Sequence, residues 1–258
     1  MSFNVRCSHT NDGENAWPRR RELLAETIRT FDPDLLGLQE VCPDQATYLR
    51  TELPGYQAVG GGRDDGREEG EASPVLFRQE RFALLEDGQF WLSETPAVIG
   101  SIGWDAALPR ICTWARLRDK TTDHALLHLN THWDHQGVVA RHESAKLINA
   151  QIRKIAGNDW VVLTGDFNLY EDSEAFRTLV GAHTEPAQLV DGYRQLHPQR
   201  EPNEASFHRF KGTVEGSRID WILHSKRFVV KSAEIMRTSQ ERRHPSDHYP
   251  VTAELSYE

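Results

Sequence analysis

Several apolar runs in this chain end in polar residues that can bind metals or transfer protons. The clearest is the run WVVL at 160–163, which is followed after one threonine by GDFN at 165–168. A short apolar run that ends in turn residues is typical of a buried strand, and α/β proteins place their chemistry at the ends of such strands. We therefore expect Asp166 and Asn168 to lie where a strand ends, in or beside a functional site.

The same arrangement recurs along almost the whole chain. Apolar residues at 35–38 lead into Gln39-Glu40, and those at 125–129 lead into a Thr-His pair. Any one such junction also suits an ordinary turn, but their joint order favours one shared site. The polar groups that border these further apolar runs are Asn4, Glu40, His132, Asp220, Asp247 and His248.

In this order the motifs resemble those of the endonuclease/exonuclease/phosphatase superfamily, the DNase I-like metal-dependent phosphohydrolases. They run as Asn, Gln-Glu, Thr-His, Gly-Asp-x-Asn, Arg-Ile-Asp and Ser-Asp-His, from residue 4 to residue 248. Short patterns match by chance individually, so it is the order that makes the resemblance specific. The resemblance implies an α/β (α+β) fold, a four-layer sandwich of two packed mixed β-sheets flanked by helices.

Two helices are predicted between these strands. Leu24, Ile28 and Phe31 give residues 17–31 an apolar face, and the Asp-Pro pair at 32–33 ends that helix. A second amphipathic pattern covers residues 145–155, before the strand at 161–165. Each helix lies between two strands, so we expect two strand–helix–strand units. Motifs that span nearly the whole length, with no Pro/Ser-rich linker, indicate a single domain over residues 1–258.

Composition indicates a soluble, cytoplasmic enzyme. No apolar stretch approaches the ~20 residues that cross a bilayer, and the N-terminus lacks a signal-peptide pattern. Cys7, Cys42 and Cys112 are odd in number and irregularly spaced, which predicts neither a disulfide framework nor a zinc site but reduced, structural cysteines. The net charge of −9 argues against a large surface for duplex nucleic acid.

The resemblance also implies a metal site. Phosphoester hydrolysis needs a cation to neutralise charge and a positioned water, and Mg²⁺ prefers oxygen ligands while it keeps several waters. Glu40 is the expected primary ligand of one or two Mg²⁺ or Mn²⁺ ions. Asn4 and Asp247 are the supporting ligands.

The remaining motif residues are the expected catalytic groups. His248 is expected to transfer protons while Asp220 fixes its tautomer, as an imidazole needs a second residue for that purpose. Asp166 would orient or deprotonate the attacking water, and the residues leave open whether Asp166 or His248 is the general base. Asn168 and His132 would donate to the phosphate oxygens in the transition state.

Substrate contacts are expected from loops. The stretch 60–71 is rich in glycine and charge and cannot form a core, so most of it is expected to be a solvated connection. Similar Gly-Arg and Gly-Glu elements occur in a bacterial branch of the superfamily. The resemblance therefore implies that Arg63 and Glu71 of this loop border the site. The candidate substrate-binding residues are Arg6, Arg63, Glu71, Arg110 and His208.

Three functions compete. The leading hypothesis is a divalent-metal-dependent hydrolase of a phosphodiester or phosphomonoester, with a small molecule favoured over nucleic acid. The second is a nuclease that acts on single strands, as exonucleases and deadenylases do. Abasic-site nucleases fit less well, because Arg6 replaces their Asp or Asn and His132 replaces their Tyr. The third is a non-catalytic binding module that retains the fold. The sequence does not indicate an oligomeric state.

Overall fold

The computed structural model describes residues 1–181 and 188–258, which form twelve strands, five α-helices and a short 3-10 helix at Gly13–Asn15. The strands are β1 (Ser2–Asn4), β2 (Leu35–Gln39), β3 (Tyr56–Val59), β4 (Val75–Arg78), β5 (Phe82–Trp91), β6 (Ile111–Asp119), β7 (Ala125–His132), β8 (Trp160–Asp166), β9 (Leu189–Asp191), β10 (Asp220–Ser225), β11 (Val229–Ile235) and β12 (Val251–Ser256). The helices are α1 (Trp17–Phe31), α2 (Pro43–Glu52), α3 (Val138–Ile155), α4 (Glu174–Val180) and α5 (Gly192–Leu196).

The strands form two six-stranded mixed sheets. The order is β11-β12-β1-β2-β4-β3 in the first sheet and β5-β6-β7-β8-β10-β9 in the second. The pairs β1/β2 and β7/β8 are parallel, and the other pairs are antiparallel. The expected architecture of two mixed sheets with helices around them is confirmed.

Both predicted strand–helix–strand units are present. The first is β1–α1–β2 and the second is β7–α3–β8, and each joins two parallel neighbours. Pro18 suits the first turn of α1, where its missing N–H has no partner to lose. Asp32 ends that helix in the left-handed conformation, with its N–H donated to the Ile28 carbonyl. Among residues 1–181 and 188–258, no helix is both long and apolar enough to cross a membrane.

Apolar side chains form three layers. Those under α1, including Leu24 and Ile28, pack on the outer face of the first sheet. Those under α3, including Ile148 and Ile152, pack on the outer face of the second sheet. A third cluster, which includes Phe77, fills the space between the two sheets. The helices and sheets therefore bury apolar surface on every inner face, which is the main stabilising contribution to such a fold.

The two sheets also meet through buried polar side chains. The Asn130 amide on β7 donates to the carbonyls of Leu38 and Pro74 at 2.6 and 2.9 Å, and its oxygen accepts from Gln39 at 2.7 Å. Gly37 leaves room for this contact, since a Cβ there would lie 2.4 Å from the Asn130 oxygen. A buried amide must find partners, so this contact sets how the sheets align next to their functional ends.

The glycine-rich stretch 60–71 is a hydrogen-bonded loop held against β5. The Arg63 N–H donates to the Glu71 carbonyl at 3.1 Å, and the Trp91 indole donates to the Arg63 carbonyl at 2.7 Å. The Gly61 N–H donates to the Gln89 side chain at 2.8 Å. These tertiary contacts anchor one side of the loop, while Arg67 to Glu69 remain exposed as expected.

A buried ion cluster fixes the approach to β10. Arg218, whose side chain is 1% exposed, lies 2.6 Å from Asp191 and also contacts Glu171. Arg194 binds the same Glu171 carboxylate at 2.9 Å. Glu171 follows β8, and Asp191 is the last residue of β9. The cluster therefore ties both segments to Arg218, which lies two residues before Asp220.

We expect Arg218→Met to lower the free energy of unfolding by about 3 kcal/mol, because it leaves two buried carboxylates short of a partner. For a chain of this length that is a fall in melting temperature of about 6–12 °C. Arg118→Met is the matched control, since Arg118 pairs with the exposed Asp123 and should change the melting temperature by less than ~2 °C. Equal melting temperatures for both variants would contradict the importance of the cluster.

Candidate active site

Three candidate catalytic residues form one row across adjacent strands. His132 at the end of β7 pairs with Asp166 at the end of β8, and Asp166 pairs with Asp220 at the start of β10. Residues directly opposite each other in a sheet present their side chains on the same face. Strand register thus brings these three buried side chains together.

The first sheet contributes Asn4 and Glu40. Asn4 ends β1 beside Gln39, and Glu40 follows β2 in a left-handed turn with φ of 61°. The Asn4 amide nitrogen donates to Glu40 Oε1 and to Asp166 Oδ2, both at 2.9 Å. One buried amide thereby joins carboxylates from the two sheets.

His248 is held between two carboxylates. Its Nδ1 lies 2.9 Å from Asp220 Oδ2, and its Nε2 lies 3.6 Å from Asp166 Oδ2. Burial would lower its pKa, but the charges of Asp220 and Asp166 outweigh burial and raise the pKa to about 10. The ring is therefore a cation at neutral pH. Phe207 covers it with a centroid distance of 4.7 Å.

Asp166 has an unusually high proton affinity. Burial and the charge of Asp220 raise its pKa to about 7, although His248 and the donors Asn4 and Asn168 favour its ionised form. A carboxylate whose pKa is near neutral can both hold and accept a proton at physiological pH.

His132 is neutral. Burial lowers its pKa well below the usual range, and the positive charges of Arg110 and Arg63 act in the same direction. Its Nε2 lies 3.0 Å from the Asn168 amide nitrogen, which also donates to the Trp133 carbonyl at 3.0 Å. Asn168 therefore fixes the orientation of His132.

Acidic groups concentrate where a cation would fit. Glu40, His132 and Asp166 each offer a ligand atom, and these atoms lie within 4.8 Å of one another. Burial, and then the charge of Glu40, raises the pKa of Asp247, so this carboxylate belongs to the same negative cluster. Carboxylate oxygens suit a hard divalent ion such as Mg²⁺ or Mn²⁺, and a cation would offset the repulsion among them.

Three of the expected substrate contacts lie on one side of this cluster. Arg63 and Glu71 pair at 2.7 Å, and burial and the charge of Glu40 raise the pKa of Glu71. Arg110 is buried and binds Asp134 at 3.4 Å and the His135 ring at 3.1 Å. Among the described residues, its Nη1 has no hydrogen-bond partner. An anion bound here would satisfy that group.

The other two expected contacts lie elsewhere around the site. Arg6 forms a two-pronged pair with Asp12, with both contacts at 3.0 Å, and lies 3.8 Å from Asp247. His208 is buried against the Tyr249 ring at 3.9 Å, and burial lowers its pKa to about 3. Its backbone N–H donates to the Asp247 carbonyl at 2.8 Å. His208 thus supports the Asp247 segment from behind.

Arg20 is a residue that the sequence reasoning missed. Its guanidinium donates to the carbonyls of Val5 and Pro245 at 2.6 and 2.9 Å, so it ties the first motif to the last. The signal was its spacing, because Arg20, Leu24 and Ile28 repeat every fourth residue and share the buried face of α1. Arg20 lies within a run of three arginines, a pattern that is typical of an exposed, charged helix start.

Comparisons with known proteins agree on one family. The model of the Endonuclease/Exonuclease/phosphatase family matches residues 1–248. A crystal structure of a protein of that family from Bacteroides thetaiotaomicron is 35% identical, covers 100% of this chain and 96% of that chain, and superposes with a TM-score of 0.91. A mannosyl-6-phosphatase of the same organism is also 35% identical, with 99% and 98% covered and a TM-score of 0.89.

One curated relative is an uncharacterized protein of Acanthamoeba polyphaga mimivirus. It is 24% identical over 208 residues, which are 67% of this chain and 30% of the relative. The chain therefore spans less than a third of that relative's length.

We expect Mg²⁺ or Mn²⁺ at ~100 times its dissociation constant to add about 2.7 kcal/mol to the free energy of unfolding. For this chain length the melting temperature should rise by about 5–10 °C, because the cation relieves repulsion among buried carboxylates. Glu40→Gln should abolish most of the rise. Glu86→Gln, at an exposed carboxylate on β5, should retain it. Equal shifts in both variants would place the cation elsewhere.

Proposed function

Because this chain belongs to the Endonuclease/Exonuclease/phosphatase family, whose members hydrolyse phosphoesters, we propose that it is a divalent-metal-dependent phosphatase of small phosphorylated molecules. One observation carries this proposal. The buried Asp166 carboxylate lies 3.5 and 3.6 Å from the His132 and His248 imidazoles and accepts a hydrogen bond from Asn4. The Asp166 carboxylate, which can act as a base, therefore lies beside the positively charged His248 ring and two further hydrogen-bonding side chains.

Asp166 is the group that takes a proton from the attacking water. Asp166 is buried, and a water held between its carboxylate and a phosphorus atom could attack in line with the leaving oxygen. As a cation, His248 has an N–H on both ring nitrogens: Nδ1 is paired with Asp220, and Nε2 would donate to a phosphoryl oxygen. Asp220 thereby holds the ring in one orientation and stabilises its charge.

Glu40, Asp247 and Asn4 are the residues that would hold the cation. When bound, a divalent ion would offset the negative charge of the phosphate group during attack. The Asn4 amide links Glu40 to Asp166, so the protein couples the position of its ligand carboxylate to that of its base. Asn168 positions His132, whose neutral ring lies beside the same carboxylate.

The arginines favour a small phosphomonoester. Such a group carries up to two negative charges, and Arg110 and Arg63 lie close enough to lower the pKa of His132. The buried Nη1 of Arg110 has an N–H group that could donate a hydrogen bond to a phosphate oxygen or a sugar hydroxyl. The relative described as a mannosyl-6-phosphatase, similar over 99% of this chain, supports a sugar phosphate as the substrate class. The net charge of −9 disfavours long nucleic acids.

The decisive experiment measures phosphate release from hexose 6-phosphates beside cleavage of a phosphodiester and of single-stranded RNA and DNA. Each reaction is run with Mg²⁺, with Mn²⁺ and with chelator. We expect metal-dependent turnover of the monoesters. His248→Ala should lower kcat by about 10²–10⁴-fold, which is the usual contribution of a proton-transferring group.

Arg110→Met tests the substrate class, since it removes one positive charge from beside the cluster of carboxylates. It should raise KM for monoesters far more than the exposed-site control Arg118→Met. Cleavage of RNA or DNA strands without monoester turnover would replace the phosphatase with a nuclease. A folded protein that hydrolyses nothing in any arm would leave a binding module.

A further inference from the structure

Two of the three cysteines meet beside the metal cluster. Cys7 follows β1 and Cys42 immediately precedes α2, and their sulfur atoms lie 2.6 Å apart. Both side chains are buried, at 8% and 2% exposed. The third, Cys112, lies within β6 of the other sheet. The irregular spacing of the cysteines along the chain gives no sign of this contact.

The contact is fixed by hydrogen bonds between the two segments. The Cys7 N–H donates to Glu40 Oε2 at 3.0 Å, and Ser8 donates to the Asp44 carboxylate at 2.6 Å. The Gln45 amide donates to the Arg6 carbonyl at 2.9 Å. Three hydrogen bonds from different residues therefore hold the two segments, and with them the two sulfurs, together.

We propose that Cys7 and Cys42 form a reversible intramolecular disulfide that joins the segment after Asn4 to the segment after Glu40. A disulfide places its sulfurs about 2.05 Å apart, so the pair has only a small distance to close. A zinc ion with sulfur ligands at about 2.3 Å would hold them ~3.8 Å apart, and the pair would have to separate. His9 offers a third ligand atom within 4.8 Å of both sulfurs, but its side chain is 73% exposed and does not enclose a metal site.

The oxidant is a low-molecular-weight disulfide, such as oxidised glutathione. One cysteine sulfur attacks it, and one glutathione leaves as a thiol. The second cysteine then attacks the mixed disulfide and releases the second glutathione thiol. The two protein thiols lose two electrons and two protons, and both are recovered in the two glutathione thiols.

The bond would act on the metal cluster directly. Cys7 contacts Glu40 through its N–H, and Cys42 follows Glu40 by two residues. Oxidation therefore ties together the two chain segments that carry Asn4 and Glu40. This inference does not depend on which phosphoester the protein hydrolyses.

The test treats the full chain with oxidised or reduced glutathione, removes the reagent, and measures intact mass, free thiols and melting temperature. We expect the oxidised protein to lose about 2 Da and two of its three free thiols. Peptide mapping should place the bond between residues 7 and 42. The sequence separation is 35 residues, and closing a loop of that length should raise the melting temperature by about 8–15 °C.

On oxidation, Cys112→Ser should show the same mass loss and the same rise in melting temperature as the wild type. Cys7→Ser and Cys42→Ser should show neither change. The wild-type mass and peptide map decide the matter even where a serine variant fails to fold. Three free thiols after oxidation, a stable glutathione adduct, or a bond that involves Cys112 would each overturn the proposal. Tight zinc retention by the reduced protein, lost in Cys7→Ser, would replace the disulfide with a metal site.

Discussion

The hydrogen bond from the Asn4 amide to Asp166 is the contact on which the site depends. It spans 2.9 Å between the last residues of two strands that belong to different sheets. The same amide nitrogen donates to Glu40, so a shift of one sheet against the other would leave a buried carboxylate without its donor. Such a loss costs about 1–3 kcal/mol or more. The alignment of the sheets and the geometry of the cluster are therefore one constraint.

That constraint concentrates negative charge. Glu40, Asp166, Asp220 and Asp247 converge where water is largely excluded, and burial raises the pKa of Asp166 and of Asp247. His248, which lies between Asp166 and Asp220, offsets part of this charge. Buried like charges destabilise a fold unless they are paired. Three buried carboxylates and the half-buried Glu40 therefore suit the divalent cation proposed for this site.

The sequence predicts the parts of the site that depend on local pattern. An apolar run that ends in Asp166 indicates a strand end, and strand pairing then places His132 and Asp220 beside it. The contacts that it does not predict join residues far apart in the chain. Arg20 reaches Pro245 across 225 positions, and Cys7 meets Cys42 across 35. Such contacts depend on how helices and loops pack, which short-range periodicity does not encode.

The most direct test of this account is the position of a bound cation. A crystal soaked in Mn²⁺ and measured at the manganese absorption edge reveals the ion by its anomalous signal. We expect a peak within about 2.0–2.3 Å of a Glu40 carboxylate oxygen, the distance range of hard cations and oxygen ligands, and no peak in Glu40→Gln. A peak beside Cys7 and Cys42 with none at Glu40, or no peak in the wild type, would contradict the central claim.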